Sequence, residues 1–283
     1  MLDLEAAGRC VRRALEEDLG DGDVTSRAVV PESARAVGRF VAREALVLAG
    51  LPVAREVFRR VDASVAFEPQ AEDGTACAAG AVLAVVRGAA RPILAGERTA
   101  LNFVQRLSGI ATVTRALVDR VQGSRLQISD TRKTAPGLRV LDKYAVEVGG
   151  GTNHRIGLFD AWLIKDNHWR IAGGIGAALR RARAALGGRP APGLGLEIEV
   201  GTVEEAKEAI DAGADALLLD NMDEATLQRA VEAARGRVFL EVSGNVGADR
   251  LPALARLGVD RVSIGALTHS VRAVDIALEI EPA

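Results

Sequence analysis

From Gly123 onward the chain alternates short apolar runs with well-capped helical stretches, and this alternation restricts the possible folds more than any other feature. The apolar runs fall at about 126–129, 161–164, 196–200, 216–219, 238–240 and 261–264. They are short and rich in Leu, Ile and Val, as strands buried in a parallel sheet must be. Between them, Thr202 with Glu205 forms a capping box and Gly213 a stop signal. Asp223 can cap a helix that ends before Gly236, and Gly258 closes a third. Parallel strands joined by right-handed helical crossovers are the expected result.

Three acids sharpen this expectation. Glu199, Asp220 and Glu241 are spaced 21 residues apart (220 − 199 and 241 − 220), each at or near the C-terminal end of an expected strand, and Asp130 and Lys165 hold equivalent places. In a (β/α) barrel that rim carries the active site, so polar residues recurring there converge on one pocket. A doubly wound open sheet also places its site at strand ends and stays open as an alternative. Taken singly, each acid is equally well read as a helix N-cap or a strand-end ion pair.

The first third is organised differently. Leu4, Ala7, Val11, Ala14 and Leu15 share one face of a helix expected over 3–18. The acidic EDLGDGDVTS (17–26) lacks the spacing and closing glutamate of a calcium loop and reads as a turn. A strand-like tract at 34–48, a helix opened by Pro52, and a strand at 83–86 suit a small α+β domain. A long helical tract from Arg91, broken around Ser108-Gly109, leads out of it and ends near Gly123.

The stretch from Asp130 to His168 gathers Arg132, Lys133, Arg139, Lys143, His154, Arg155, Lys165 and His168 around a Pro136-Gly137 turn and the Gly149-Gly150-Gly151 run. Many donors on a turning backbone suit an anion. The net charge of −2 excludes a general nucleic-acid binder, so this anion site is local. Glu199 and Asp220 can hold Mg2+ or bond ribose hydroxyls. Small residues after the last two strands, at Ser243-Gly244-Asn245 and Ile264-Gly265-Ala266, match the usual phosphate-binding place of a barrel. Cys10 and Cys77 form no metal or disulfide pattern. The N-terminus lacks a signal-peptide pattern and no segment approaches the roughly 20 apolar residues of a membrane span, so a cytoplasmic protein is expected.

Several long motifs now stand in order: EDLGDGDVTS, GERTALNFVQRLSGIAT from Gly96, DTRKTAPGLR from Asp130, GGGTNHRIGLFDAWLIKDNH from Gly149, EIEV from Glu197, LLLDN from Leu217, EVSGN from Glu241 and GALTHS from Gly265. Together they resemble the quinolinate phosphoribosyltransferase family over nearly the whole chain, least well at 171–192. The resemblance implies an N-terminal α/β sandwich (1–105 with 268–283) and an incomplete, seven-stranded α/β barrel (106–267). It implies phosphoribosyl transfer to quinolinate with decarboxylation, Mg2+ as cofactor, and a homodimer whose partner supplies Arg98. Quinolinate would meet Arg98, Thr131, Arg132, His154, Arg155 and Lys165. Phosphoribosyl diphosphate would meet Lys133, Glu199, Asp220, Ser243, Gly244, Asn245, Ile264, Gly265 and Ala266, with Glu199 and Asp220 toward the metal. Lys133, Lys165, Glu199 and Asp220 would carry the catalysis. Three rivals remain at this point: a non-decarboxylating phosphoribosyltransferase, a Schiff-base lyase using Lys165, and a non-catalytic metabolite-binding protein.

Overall fold

The computed structural model describes residues 2–244 and 246–283. In chain order, α1 (Leu4–Leu19), α2 (Val24–Val29), β1 (Arg35–Ala42), β2 (Leu46–Val47), α3 (Leu51–Val61), β3 (Ala66–Pro69), β4 (Ala76–Cys77) and β5 (Val82–Ala89) lead into α4 (Ala90–Asp119). They are followed by β6 (Gln127–Ser129), α5 (Arg139–Val148), β7 (Trp162–Ile164), α6 (Asp166–Ala172), α7 (Ile175–Leu186) and β8 (Leu196–Val200). The chain ends with α8 (Val203–Asp211), β9 (Ala216–Asp220), α9 (Glu224–Ala234), β10 (Phe239–Ser243), α10 (Leu251–Leu257), β11 (Arg261–Ser263), α11 (Ala266–His269) and β12 (Ile276–Pro282). Contacts divide it into two compact units. One is Met1–Ala116 with Thr134–Gly151 and Ala266–Ala283; the other is Leu117–Lys133 with Thr152–Gly265.

The first unit is built on an antiparallel sheet of order β12-β1-β5-β3. β12 pairs with β1 from Ala36 opposite Pro282 to Ala42 opposite Ile276. Phe40 meets Phe58 and Phe67 edge to face, and Phe58 and Phe67 pack tilted, with ring centroids 6.0–6.2 Å apart. The acidic turn at 17–26 contains more structure than expected: Asp23 accepts the N–H of Ser26 at 2.9 Å and caps α2. α5 buries Leu141, Ala145 and Val146 and packs on α1, which groups it with this unit. Its buried Asp142 takes a two-pronged bond from Arg106 at 2.9 and 2.8 Å.

α4 runs unbroken, against the expected break at Ser108-Gly109. Both small residues are there for close approach instead. The Ser108 hydroxyl accepts the N–H of Ala49 at 2.9 Å and donates to its carbonyl at 3.1 Å. A Cβ on Gly109 would collide with the carbonyl of Arg272.

The second unit is a six-stranded parallel sheet of order β6-β11-β10-β9-β8-β7, an incomplete barrel with β6 and β7 at its ends. The resemblance implied seven strands; six form among the described residues, at the places read from the sequence, and Thr152 adds an isolated parallel bridge to Ser129. Side chains alternate across such strands with period two. One set, Ile164, Ile198, Leu217, Leu219, Leu240, Val242, Val262 and Ile128, is apolar and buried. The register places the other set level across the sheet: Leu163 with Glu197, Glu199 with Leu218, Leu218 with Glu241, Asp220 with Ser243, Glu241 with Arg261, and Ser263 with Ser129. One face therefore belongs to the helices and the other to a polar interior.

The expected helix signals hold. Thr202 and Glu205 form the capping box of α8, Asp223 caps α9, and Gly258 ends α10 in the left-handed region. Replacing Gly109 by Ala tests the packing account of α4. Helix propensity alone would favour Ala by about 1 kcal/mol, but a clash with a fixed backbone carbonyl costs about 1–3 kcal/mol. The expected result is a lower urea midpoint; a raised one would show that the Arg272 backbone gives way freely.

Candidate active site

The polar interior opens into a cavity of about 360 Å3. Leu163, Glu199, Leu218, Asp220, Glu241, Ser243 and Ser263 reach it from the strands, and Thr131, Arg132, Lys133, His154, Arg155, Lys165, Asn221 and Gly244 from the segments between elements. Ten of the sequence-expected residues thus meet in one place: Thr131, Arg132, Lys133, His154, Arg155, Lys165, Glu199, Asp220, Ser243 and Gly244. Ile264, Gly265 and Ala266 do not line it, and Arg98 is exposed on α4. Asn245 lies outside the described residues. Lys143 is buried within α5 and Arg139 bonds Thr134, so neither belongs to the cavity.

Lys165 follows the last residue of β7, and its Nζ meets the Glu199 carboxylate at 2.7 Å. Its own N–H is taken by His168 Nδ1 at 2.9 Å, and Trp169 Nε1 bonds the Glu199 carbonyl at 3.1 Å, so α6 and β8 are tied at the rim. At the end of β9 Asn221 stands at φ 53°, with its side-chain amide donating to Asp220 at 2.7 Å and its backbone N–H donating to the Ser243 carbonyl at 3.1 Å. Gly244 has φ 91°, and a Cβ there would strike the Asn221 amide. Glycine is needed at this position for both its conformation and its size.

The loop carrying His154 and Arg155 is pinned at three successive levels. Thr152 N–H bonds the Ile128 carbonyl at 2.8 Å, His154 N–H bonds Asp130 Oδ1 at 2.9 Å, and Arg155 N–H bonds the ring Nδ1 of His154 at 2.8 Å. Burial, reinforced by neighbouring Arg132, holds Arg155 below the usual arginine range. Arranged in this way, Arg132, Lys133, Arg155 and Lys165 share the cavity with three carboxylates, Glu199, Asp220 and the more deeply buried Glu241. The geometry suits two anionic substrates, one of them with hydroxyls or a metal to hold.

All three evenly spaced acids line the cavity, but not at one level. The strands align Glu199 with Leu218 and Leu218 with Glu241, so these two acids stand level, Glu241 wholly buried, and Asp220 stands one inward-facing step nearer the rim. Glu197 and Arg261 lie in the same interior and were missed, although EIEV and the run at 261–264 contain them. Knowing the inward parity of Glu199 would have turned Glu197 inward as well. Asn221, inside LLLDN, was likewise passed over. Arg261 Nε approaches Glu241 Oε2 at 2.6 Å, off the N–H axis, so this contact is a charge pair rather than an aligned hydrogen bond. Burial raises the pKa of both Glu197 and Glu241, and the negative neighbour Glu197 adds to the shift at Glu241.

Two family models match the chain. The quinolinate phosphoribosyl transferase C-terminal domain matches residues 110–279, and the N-terminal domain of the same family matches residues 23–108. The chain belongs to the quinolinate phosphoribosyl transferase family. Among its relatives, a Mycobacterium leprae nicotinate-nucleotide pyrophosphorylase (carboxylating) is 45% identical over 284 residues, which cover 98% of each chain. A probable nicotinate-nucleotide pyrophosphorylase (carboxylating) of Bacillus subtilis is 40% identical over 264 residues, 93% of this chain and 90% of that protein. The solved nicotinate-nucleotide pyrophosphorylase of Francisella tularensis superposes with a TM-score of 0.92 at 40% identity, covering 99% of this chain and 98% of that one.

For this phosphoribosyl transferase the buried acids have a measurable consequence. Their pKa values are raised above 4.5, so the stability they contribute is present below that pH and is lost as pH rises through the raised values. Infrared difference spectra should show a protonated-carboxyl band that persists above pH 4.5 and weakens in Glu241→Gln. Absence of any such band would contradict the burial argument.

Proposed function

We propose that this enzyme joins quinolinate to the phosphoribosyl group of phosphoribosyl diphosphate, releasing diphosphate and CO2 and leaving nicotinate mononucleotide for NAD biosynthesis. The observation that carries this reading is the single cavity in which Arg132, Arg155 and Lys165 stand opposite Glu199, Asp220, Ser243 and Gly244, in a chain of this family. The ring nitrogen attacks C1 of the ribose as the bond to diphosphate breaks, and the electron pair leaves with diphosphate. The ring is then cationic. Its 2-carboxylate departs as CO2, and the pair left on the ring carbon is stabilised by the adjacent charged nitrogen until that carbon takes a proton from water.

Thr131, Arg132, Arg155 and Lys165, with His154 beside them, hold quinolinate, while Lys133, Glu199, Asp220, Ser243 and Gly244 hold phosphoribosyl diphosphate. Ile264, Gly265, Ala266 and Asn245 complete the phosphate side in this reading. Holding two polyanions in attack geometry is the main catalytic work. Glu199 and Asp220 offer hard oxygen atoms to the cavity, which is the donor chemistry Mg2+ requires, directly or through water or substrate oxygens. When bound, the ion supplies charge neutralisation for the departing diphosphate. Lys165 is engaged by Glu199 at 2.7 Å, an arrangement suited to an electrostatic role rather than to that of a Schiff-base nucleophile.

Arg98 belongs to a neighbouring protomer's site in a homodimer; its exposure on α4, away from the cavity lining, is consistent with that role. The reaction is placed in the cytoplasm. Two free cysteines suit a reducing compartment, and no helix among the described residues is long and apolar enough to cross a membrane.

With quinolinate, phosphoribosyl diphosphate and Mg2+, purified protein should release nicotinate mononucleotide and CO2 in equal amounts and should use nicotinate poorly. Turnover of nicotinate without CO2 would move the assignment to a non-decarboxylating enzyme. Lys165→Ala should lower kcat by roughly 100-fold or more with an unchanged circular dichroism spectrum, and near-normal rates would remove its assigned role. Mixing Arg98→Ala with Lys165→Ala should regain activity, because a mixed dimer contains one intact site; no recovery from mixed dimers would argue against a shared site.

A further inference from the structure

His154 is the one cavity residue whose ring nitrogens are both engaged by the protein. Nδ1 accepts the Arg155 N–H at 2.8 Å, while Nε2 lies 3.4 Å from Glu197 and 3.5 Å from Glu241. The four side chains of this inner layer, His154, Glu197, Glu241 and Arg261, are each no more than 10% exposed. β9 runs between β8 and β10 and sets Ala216 level with Glu197, and this small side chain leaves the two carboxylates room to meet. Arg261 lies over the Phe239 ring at 5.2 Å and pairs with Glu241 from below.

The ring chemistry follows from these contacts. A nitrogen that accepts an N–H cannot carry a proton, so Nδ1 is bare and the ring proton sits on Nε2, pointing at the carboxylates. A doubly protonated ring would set Nδ1–H against the Arg155 N–H, donor against donor. Held in this way, His154 turns its one N–H toward the two acids, with the 3.5 Å contact to Glu241 Oε1 a charge contact rather than an aligned hydrogen bond. Its contribution passes through the backbone to Arg155.

We propose that Glu241, acting with Glu197, is a positioning residue for the transfer reaction: it holds His154 as the Nε2–H tautomer, whose Nδ1 fixes the backbone that aims Arg155 at quinolinate. This rests on the reading of the cavity as the quinolinate site. The chain of contacts Arg261, Glu241, His154, Arg155 runs from the interior of the sheet to the substrate. It resembles the outer-layer partners that fix a histidine's tautomer and orientation in other sites.

The test has two arms. Ring 15N spectra of the full-length protein labelled in histidine, with His154 assigned by the signals lost in His154→Gln, should show a neutral Nε2-protonated ring both with and without quinolinate. A charged ring or an Nδ1–H tautomer overturns the proposal. In Glu241→Gln the His154 signals should shift toward tautomer exchange. The KM for quinolinate should rise roughly tenfold or more, as misaiming a positioning group does, while the KM for phosphoribosyl diphosphate stays within about twofold. Equal changes in both KM values with an unaltered ring spectrum indicate a merely structural role and overturn it. If Glu241→Gln fails to fold because Arg261 is left unpaired, Glu241→Gln with Arg261→Gln removes both charges and serves in its place. The spectra of the unliganded protein do not depend on turnover, so failure of the assigned reaction would be distinguished from failure of this proposal.

Discussion

A carboxylate taken from water into a strand interior costs several kcal/mol unless a cation or donor meets it, and Glu241, wholly buried, imposes that requirement on its surroundings. Arg261 answers it from a neighbouring strand and His154 from a loop, with Glu197 bringing a second charge into the same space. In the first unit Arg106 does the same for Asp142. Such pairs add little net stability over an apolar filling. Their value lies in allowing only one arrangement, which an active site that must hold two anions in register requires.

The parallel sheet was legible because its apolar face repeats and its helices are capped by residues with one physical use each. Thr202, Asp223 and Gly258 stop or start helices where their chemistry says they should. The cation loops were legible for another reason: Arg132, Lys133, Arg155 and Lys165 sit beside strand ends, and strand ends converge. What sequence spacing could not supply was register. Equal intervals between Glu199, Asp220 and Glu241 suggest equal height, yet β9 is offset by two residues relative to that spacing, so Glu199 and Glu241 stand level and Asp220 alone lies nearer the rim. Arg261 was hidden for a related reason, since a charged residue opening an apolar run reads as a strand's exposed end until its partner is known.

Small residues were the other source of error. Ser108 and Gly109 carry the signature of a helix break when read locally, because glycine and serine loosen an isolated helix. Their actual reason is distant in sequence: Ala49 and Arg272 approach the helix closely, and only a hydroxyl and a hydrogen fit. Gly244 is the opposite case, where the local conformation and the neighbouring Asn221 both demand glycine and the local reading suffices.

The pairing of β12 with β1 also bears on how the molecule comes into being. Arg39 and Glu281, in contact at 2.7 Å, are 242 positions apart in the chain. Because β1 lies between β5 and β12, synthesis makes one of its partners long before the other. A nascent chain must therefore keep an unpaired strand edge out of trouble until β12 has been made. The parallel strands, whose partners are nearer in sequence, can assemble before that moment. The sheet around β1 thus closes later than the parallel sheet whose strands lie between its two ends in sequence.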